Sequence, residues 1–467
     1  MKDIKNKWLE LIIVLSAPLL SVIDVFIINI AIPAIKKGVN GTDAEIQLVI
    51  AGYLLGYAAF LITGGRAGDH FGRKKVFFWG MLAFTATSCL CGLSVTPLQL
   101  NATRFLQGMS ASFMVPQTIA FIQILFTDQK ERAKAIGLFG ITLGLAAVIG
   151  QVLGGYLADT HWAIEGWRLI FFINLPIGIL TLWATNKYIT ETKSNLGSKF
   201  DYFGVFILTL ALFCLIYPLT QGREAGWPLW SFIAIAMSFV LFAYFIYNQK
   251  RKLTENNNPL IDVRLFEIKD FNIGLVAVLF HFMLHTSYLL LSAVYLQNGL
   301  HIPAVECGIY FIVPGFLFMG SSLAASKLIV RYGKRVLQFG VLLLASAFFL
   351  QIAWWKPGVS VWDIISLMGL WGLGNGLVLP SLLNIVLKSV PAEYAGAAAG
   401  IYSTFQQTAS ALGVSIIGGI FFYFSDQGWQ TAFDAGLFAI IVCVFLVGIM
   451  LYLLPDEKRA SIDIVSE

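Results

Sequence analysis

An aspartate inside an apolar run is the residue of this sequence with the clearest chemistry. Asp24 stands in SVIDVFIINIAIP, about nine residues, or about 13 Å of helix, from the outer end of its run. Charge in lipid is costly, so such a residue is a functional candidate by default. Desolvation raises a carboxyl pKa and a nearby cation lowers it. A carboxylate held between the two effects can load and release a proton. Arg104 interrupts the fourth apolar run about six residues, or about 9 Å, from its outer end, at a similar depth. A buried cation must be paired or face water. Arg104 is therefore expected to tune Asp24, directly or through Gln107 and water. The alternative is a static pair that fixes two helices.

Other polar groups lie in apolar runs. His281 and His285 are spaced i, i+4 and share a helix face that Tyr288 and Ser292 extend. Such a stripe can line a cavity, bond between helices or assist proton movement. Metal binding lacks a third ligand in the sequence, and no metal site is expected. Asn29, Asn174, Asn375, Gln406 and Gln407 are uncharged groups that can bind substrate or bridge helices. Asp69 and Arg73 fall at the cytoplasmic end of the second run, with Asp128 and Arg132 in the next cytoplasmic loop. Charges so placed can pair in one conformation and part in another. Glycines at 137, 140, 144, 150, 154 and 155 allow close helix contact. Gly150, Gly154 and Gly155 are candidates for a sliding face, against the simpler reading of tight packing. The five cysteines have no zinc-like spacing and read as small apolar packers.

These side chains need a membrane scaffold to hold them. Of the 467 residues, 58% are hydrophobic and 12% charged, about half the charge of a soluble chain. Runs long enough to cross a bilayer number fourteen, near 9–33, 46–65, 76–94, 98–126, 135–157, 168–186, 202–220, 230–248, 271–296, 304–325, 336–355, 361–387, 395–422 and 433–454. The short turn from Val95 to Pro97 is the weakest division. With the N-terminus inside, about 25 of the 31 Lys and Arg fall on the cytoplasmic side. The expectation is an all-α, multi-pass protein of a bacterial cytoplasmic (inner) membrane with both termini in the cytoplasm. No basic stripe with exposed aromatics suggests nucleic acid.

Longer polar stretches at 187–201 and 249–270 bracket a lone hairpin. The parse is a six-helix bundle over 1–190, a two-helix insert with cytoplasmic linkers over 191–265, a second six-helix bundle over 266–455 and a cytoplasmic tail over 456–467. The bundles look duplicated. Gly108 and Pro116 recur as Gly372 and Pro380, and Gly154-Gly155 as Gly418-Gly419, all shifted by 264. The loop HFGRK at His70 recurs as RYGKR at Arg331, shifted by 261.

The run GRAGDHFGRKK from Gly65 resembles the cytoplasmic loop signature of the major facilitator superfamily, and LNATRFLQGMSAS from Leu100 resembles its helix-4 arginine motif. GITLGLAAVIGQVLGG from Gly140 is similar to the glycine-rich antiporter motif, with Gln151 where proline is usual. DVFIINIAIP from Asp24 and WRLIFFINLPIG from Trp167, with fourteen spans, look like the drug:proton antiporter branch. The resemblance implies the major facilitator fold, two six-helix bundles plus the two-helix insert, with substrate held between halves that alternate. It implies a monomeric antiporter exchanging small amphipathic molecules for protons, with Asp24 and Arg104 coupling the proton. Substrate contacts would come from Asn29, Gln107, His281, His285, Tyr288, Asn375, Gln406 and Gln407. No cofactor is expected, and the G-x-x-x-x-G-K-[ST] phosphate loop is absent. Rivals are a symporter, an exporter of one metabolite, and a sensor or enzyme on the same fold.

Overall fold

The computed structural model describes residues 4–160, 164–191, 201–255, 259–391 and 394–454. The expected tail 456–467 and parts of both linkers lie outside them. Among the described residues, fourteen helices are long and apolar enough to cross a membrane. They are α1 Lys7–Val39, α2 Asp43–Phe71, α3 Arg73–Leu93, α4 Pro97–Leu125, α5 Gln129–Ala158, α6 Gly166–Tyr188 and α7 Tyr202–Glu224. There follow α8 Leu229–Thr254, α9 Lys269–Gly299, α10 Ala304–Ile329, α11 Arg335–Trp354, α12 Val361–Lys388, α13 Ala397–Gln427 and α14 Trp429–Leu453.

Local sequence explains where the helices stop. Between α3 and α4 the Thr96 hydroxyl accepts from the Gln99 amide at 3.3 Å, and Pro97 sits in the first turn, where no N–H is needed. Thr42 and Glu45 form a reciprocal capping box at the start of α2. In α6 the helix breaks at Ile173 into Gly166–Phe172 and Asn174–Tyr188. Pro176 accounts for it: proline offers no N–H to the carbonyl four residues back and crowds it.

The helices form two compact units, Met1–Ile261 with Pro303–Gly308, and Asp262–Ile302 with Ile309–Glu467. In the first unit a β-carbon on Gly108 would fall 1.9 Å from the Tyr53 carbonyl oxygen, so α2 and α4 touch backbone to backbone. In the second unit Gly372 meets the Pro314 carbonyl in the same way, at 2.4 Å, between α10 and α12. Gly372 lies 264 residues after Gly108, and Pro314 lies 261 after Tyr53. Both offsets in the sequence therefore reappear as one repeated helix contact.

The insert α7–α8 belongs to the first unit, where α7 packs on α2. Its cytoplasmic end is tied by the buried Asp201. That carboxylate accepts from the Gly204 amide at 2.7 Å, from Gln249 Nε2 at 2.9 Å and from the Leu260 amide at 3.3 Å, and pairs with Lys252. Burial alone pushes its pKa up, but the bonds from Lys252, Gln249 and Gly204 outweigh burial and hold the carboxyl below its ordinary 3.8.

Candidate functional site

Asp24 points into the first unit and is fully buried. The glycines of α5 let α1 come this close: a β-carbon on Gly150 would fall 2.9 Å from the Ile23 carbonyl oxygen, and one on Gly154 2.5 Å from that of Ile27. Gly155 lies instead against Ala304, in the short segment that packs with this unit. Two of the three candidate sliding residues thus seat the helix that carries Asp24.

Arg104 reaches Asp24 from α4. Its Nη1 lies 2.5 Å from Asp24 Oδ2 and 2.7 Å from Gln107 Oε1, while its Nε donates to the Val49 carbonyl at 3.0 Å. Gln107 Nε2 donates to Asp24 Oδ1 at 2.8 Å, closing a ring of three side chains. Asn174, placed by the break in α6, donates to the same Oδ1 at 3.3 Å and to Ser88 Oγ at 2.9 Å. The guanidinium lies 4.4 Å from the Tyr53 ring centre, within cation–π range. Neither member of the ion pair is more than 1% exposed. Such a pair survives burial only with partners for its donors and acceptors, and here both carboxylate oxygens of Asp24 and the Nε and Nη1 of Arg104 are engaged. Sequence reasoning missed Tyr53, Ser88 and the Val49 carbonyl. A backbone acceptor leaves no trace in side-chain identity.

The other predicted residues do not join this ring. Asn29 bonds back to the Val25 carbonyl at 3.1 Å within α1. Gln406 and Gln407 are half-buried on α13. Arg73 pairs with Asp69 at 2.7 Å, one turn away. Asp128 and Arg132 are engaged elsewhere. Asp128 caps α5 by accepting from the Glu131 amide at 2.9 Å, and Arg132 donates to the Phe126 carbonyl at 2.9 Å. A helix start needs such a cap, which explains why Asp128 serves α5 and not the Asp69–Arg73 pair.

A second group forms within the second unit. His285 Nδ1 and Asn375 Nδ2 are 2.9 Å apart. The His285 ring is nearly parallel to Trp371, 5.6 Å away at 14°, and to His281, 6.4 Å away at 16°. Tyr288 packs on Trp371 at 4.7 Å and its hydroxyl accepts from Gln351 at 2.9 Å. Trp371 and Gln351 were not anticipated, although the 264-residue offset carries Gln107 onto Trp371. The two histidine rings are nearly parallel, and no cluster of three metal-ligating side chains occurs among the described residues.

The Major Facilitator Superfamily profile matches residues 14–414. The chain is 34% identical over 421 residues to a protein named "Probable actinorhodin transporter" of Streptomyces coelicolor, covering 89% of this chain and 73% of that one. It is 29% identical over 479 residues to the puromycin resistance protein pur8 of Streptomyces alboniger, covering 98% and 93%. The fold is similar to a crystal structure of a D-xylose-proton symporter, with a TM-score of 0.69 at 12% identity over 97% of this chain and 99% of that one. With fourteen spans, a repeated helix contact and a profile match over most of its length, the chain belongs to the Major Facilitator Superfamily.

Proposed function

We propose that this protein exports small organic, antibiotic-like molecules across the bacterial inner membrane in exchange for protons, by alternating access and as a monomer. Relatives named for actinorhodin transport and puromycin resistance support the cargo class. The observation that carries proton exchange is the buried Asp24–Arg104 pair with its Gln107 and Asn174 donors. When α1 and α4 part, Asp24 loses its cation and can take a proton. Re-pairing with Arg104 then expels that proton. Asp69 and Arg73 are the proposed latch at the end of α2.

Energy comes from the membrane. One charge moved through 100 mV gives about 2.3 kcal/mol, and a unit of pH gradient gives about 1.4 kcal/mol. The test is purified protein in liposomes with an imposed pH gradient and puromycin as cargo. Antiport predicts proton movement opposite to cargo, and co-movement identifies a symporter. The bonds from three helices to this pair favour a second reading, a static clamp between α1 and α4. Under that reading Asp24→Asn lowers stability and leaves the proton-to-cargo ratio unchanged.

A further inference from the structure

The second unit holds several buried polar atoms that have no hydrogen-bond partner among the described residues. They are both ring nitrogens of His281, Asn375 Oδ1, Trp371 Nε1 and Gln351 Oε1. His281, Asn375 and Gln351 are fully buried and Trp371 is 6% exposed. Orphans of this kind are rare in folded proteins and each calls for an explanation. Here they belong to neighbouring side chains, linked through the His285–Trp371 stack, the His285–Asn375 contact and the Tyr288–Gln351 bond. His285 is the partly exposed member. The group therefore combines flat aromatic faces with unspent donors and acceptors.

Charge is missing from it. In the second unit the acidic residues of the spans are Asp270, Asp363, Asp426 and Asp434, all within two turns of a helix end. In the first unit the one deep carboxylate is already matched by Arg104. A cationic ligand would find no free carboxylate at mid-span among the described residues.

We propose that His281, His285, Trp371 and Asn375 form a recognition site for neutral, planar aromatic molecules bearing hydroxyl or carbonyl groups. This deepens the export reading and rests on it for its biological meaning. A flat ring placed against Trp371 exchanges one stacking partner for another. Its oxygen atoms then supply the bonds that Asn375 Oδ1, Trp371 Nε1 and His281 lack. A site built to bond a hydroxyl rejects the analogue without it, because its polar atoms stay unpaired.

The test is calorimetric binding to the purified full chain in detergent, followed by transport in liposomes. The probes are a dihydroxyanthraquinone, oxygen-free anthracene and the planar cation ethidium. The hydroxylated probe is expected to bind at least about tenfold tighter than the other two. Asn375→Leu should erase that preference. Trp371→Phe, which keeps a ring but removes the N–H, should reduce it, so the reading survives if one variant fails to fold. Preference for ethidium, or a hydroxyl preference intact in both variants, overturns the proposal. Selective binding without movement of the probe in liposomes overturns the export reading and leaves the site standing.

Discussion

One nitrogen of Arg104, Nη1, serves both Asp24 at 2.5 Å and Gln107 at 2.7 Å. The arginine is a junction between α1 and α4, and its Nε anchors the junction to the α2 backbone at Val49. Asp24 cannot leave without stranding a buried cation.

Asp24→Asn keeps the shape of the side chain and removes its charge. Per proton exchanged, a one-unit pH gradient drives about a tenfold accumulation of cargo. The variant is expected to show none of it while still exchanging labelled for unlabelled cargo. Gradient-driven accumulation at the wild-type level by a membrane-inserted Asp24→Asn protein would end the coupling proposal.

Arg104→Lys separates charge from geometry. An ammonium keeps the charge but lacks the planar fork that reaches Asp24, Gln107 and the Val49 carbonyl together. Export should fall at least about tenfold, and the pH at half-maximal rate should shift. Arg104→Ala should be worse in stability, because it leaves a buried carboxylate unpaired, at about 3–5 kcal/mol. Thermal unfolding of both variants beside the transport assay checks the order.

Gly108→Ala should be damaging and Gly140→Ala harmless. The first β-carbon meets the Tyr53 carbonyl oxygen at 1.9 Å, whereas nothing lies within 4 Å of the second. Overpacking of this kind typically costs about 1–3 kcal/mol, and alanine in an open helical position gains about 0.5–1 kcal/mol. Gly372→Ala should behave like Gly108→Ala, since it meets Pro314 in the repeated contact. Equal melting temperatures for the Gly108 and Gly140 variants would contradict the backbone contact.

Asp201 gives a pH signature. Its folded pKa lies below the ordinary 3.8. Its stabilising contribution is therefore present above about pH 4 and is lost as pH falls through the folded value. Asp201→Asn should melt lower than wild type at pH 7, with the gap closing in acid. A gap that stays constant down to pH 3 would show that the carboxylate charge is not what ties the insert.

The spans and the repeat were legible because lipid imposes long apolar runs and because duplication leaves fixed offsets, as from Gly108 to Gly372. Asp24 and Arg104 were legible because charge in such runs is rare. What could not be read was how the polar groups divide among partners. Asn29 and Asn174 look alike in sequence, yet one bonds its own helix and the other bonds Asp24. The break at Pro176 decides that difference in three dimensions. Asp128 likewise carries no mark showing that it would cap α5. Trp371 was one among twelve tryptophans until its place opposite His285 was known.

The 264-residue offset carries Arg104 onto Met368 and Gln107 onto Trp371, so where the first bundle sets a cation and an amide the second sets an apolar side chain and a ring. Under the proposed roles, substitutions in α9 and α12 would change the cargo while the Asp24–Arg104 pair of α1 and α4 stays untouched. A change of cargo range would then arise first in the later half of the chain.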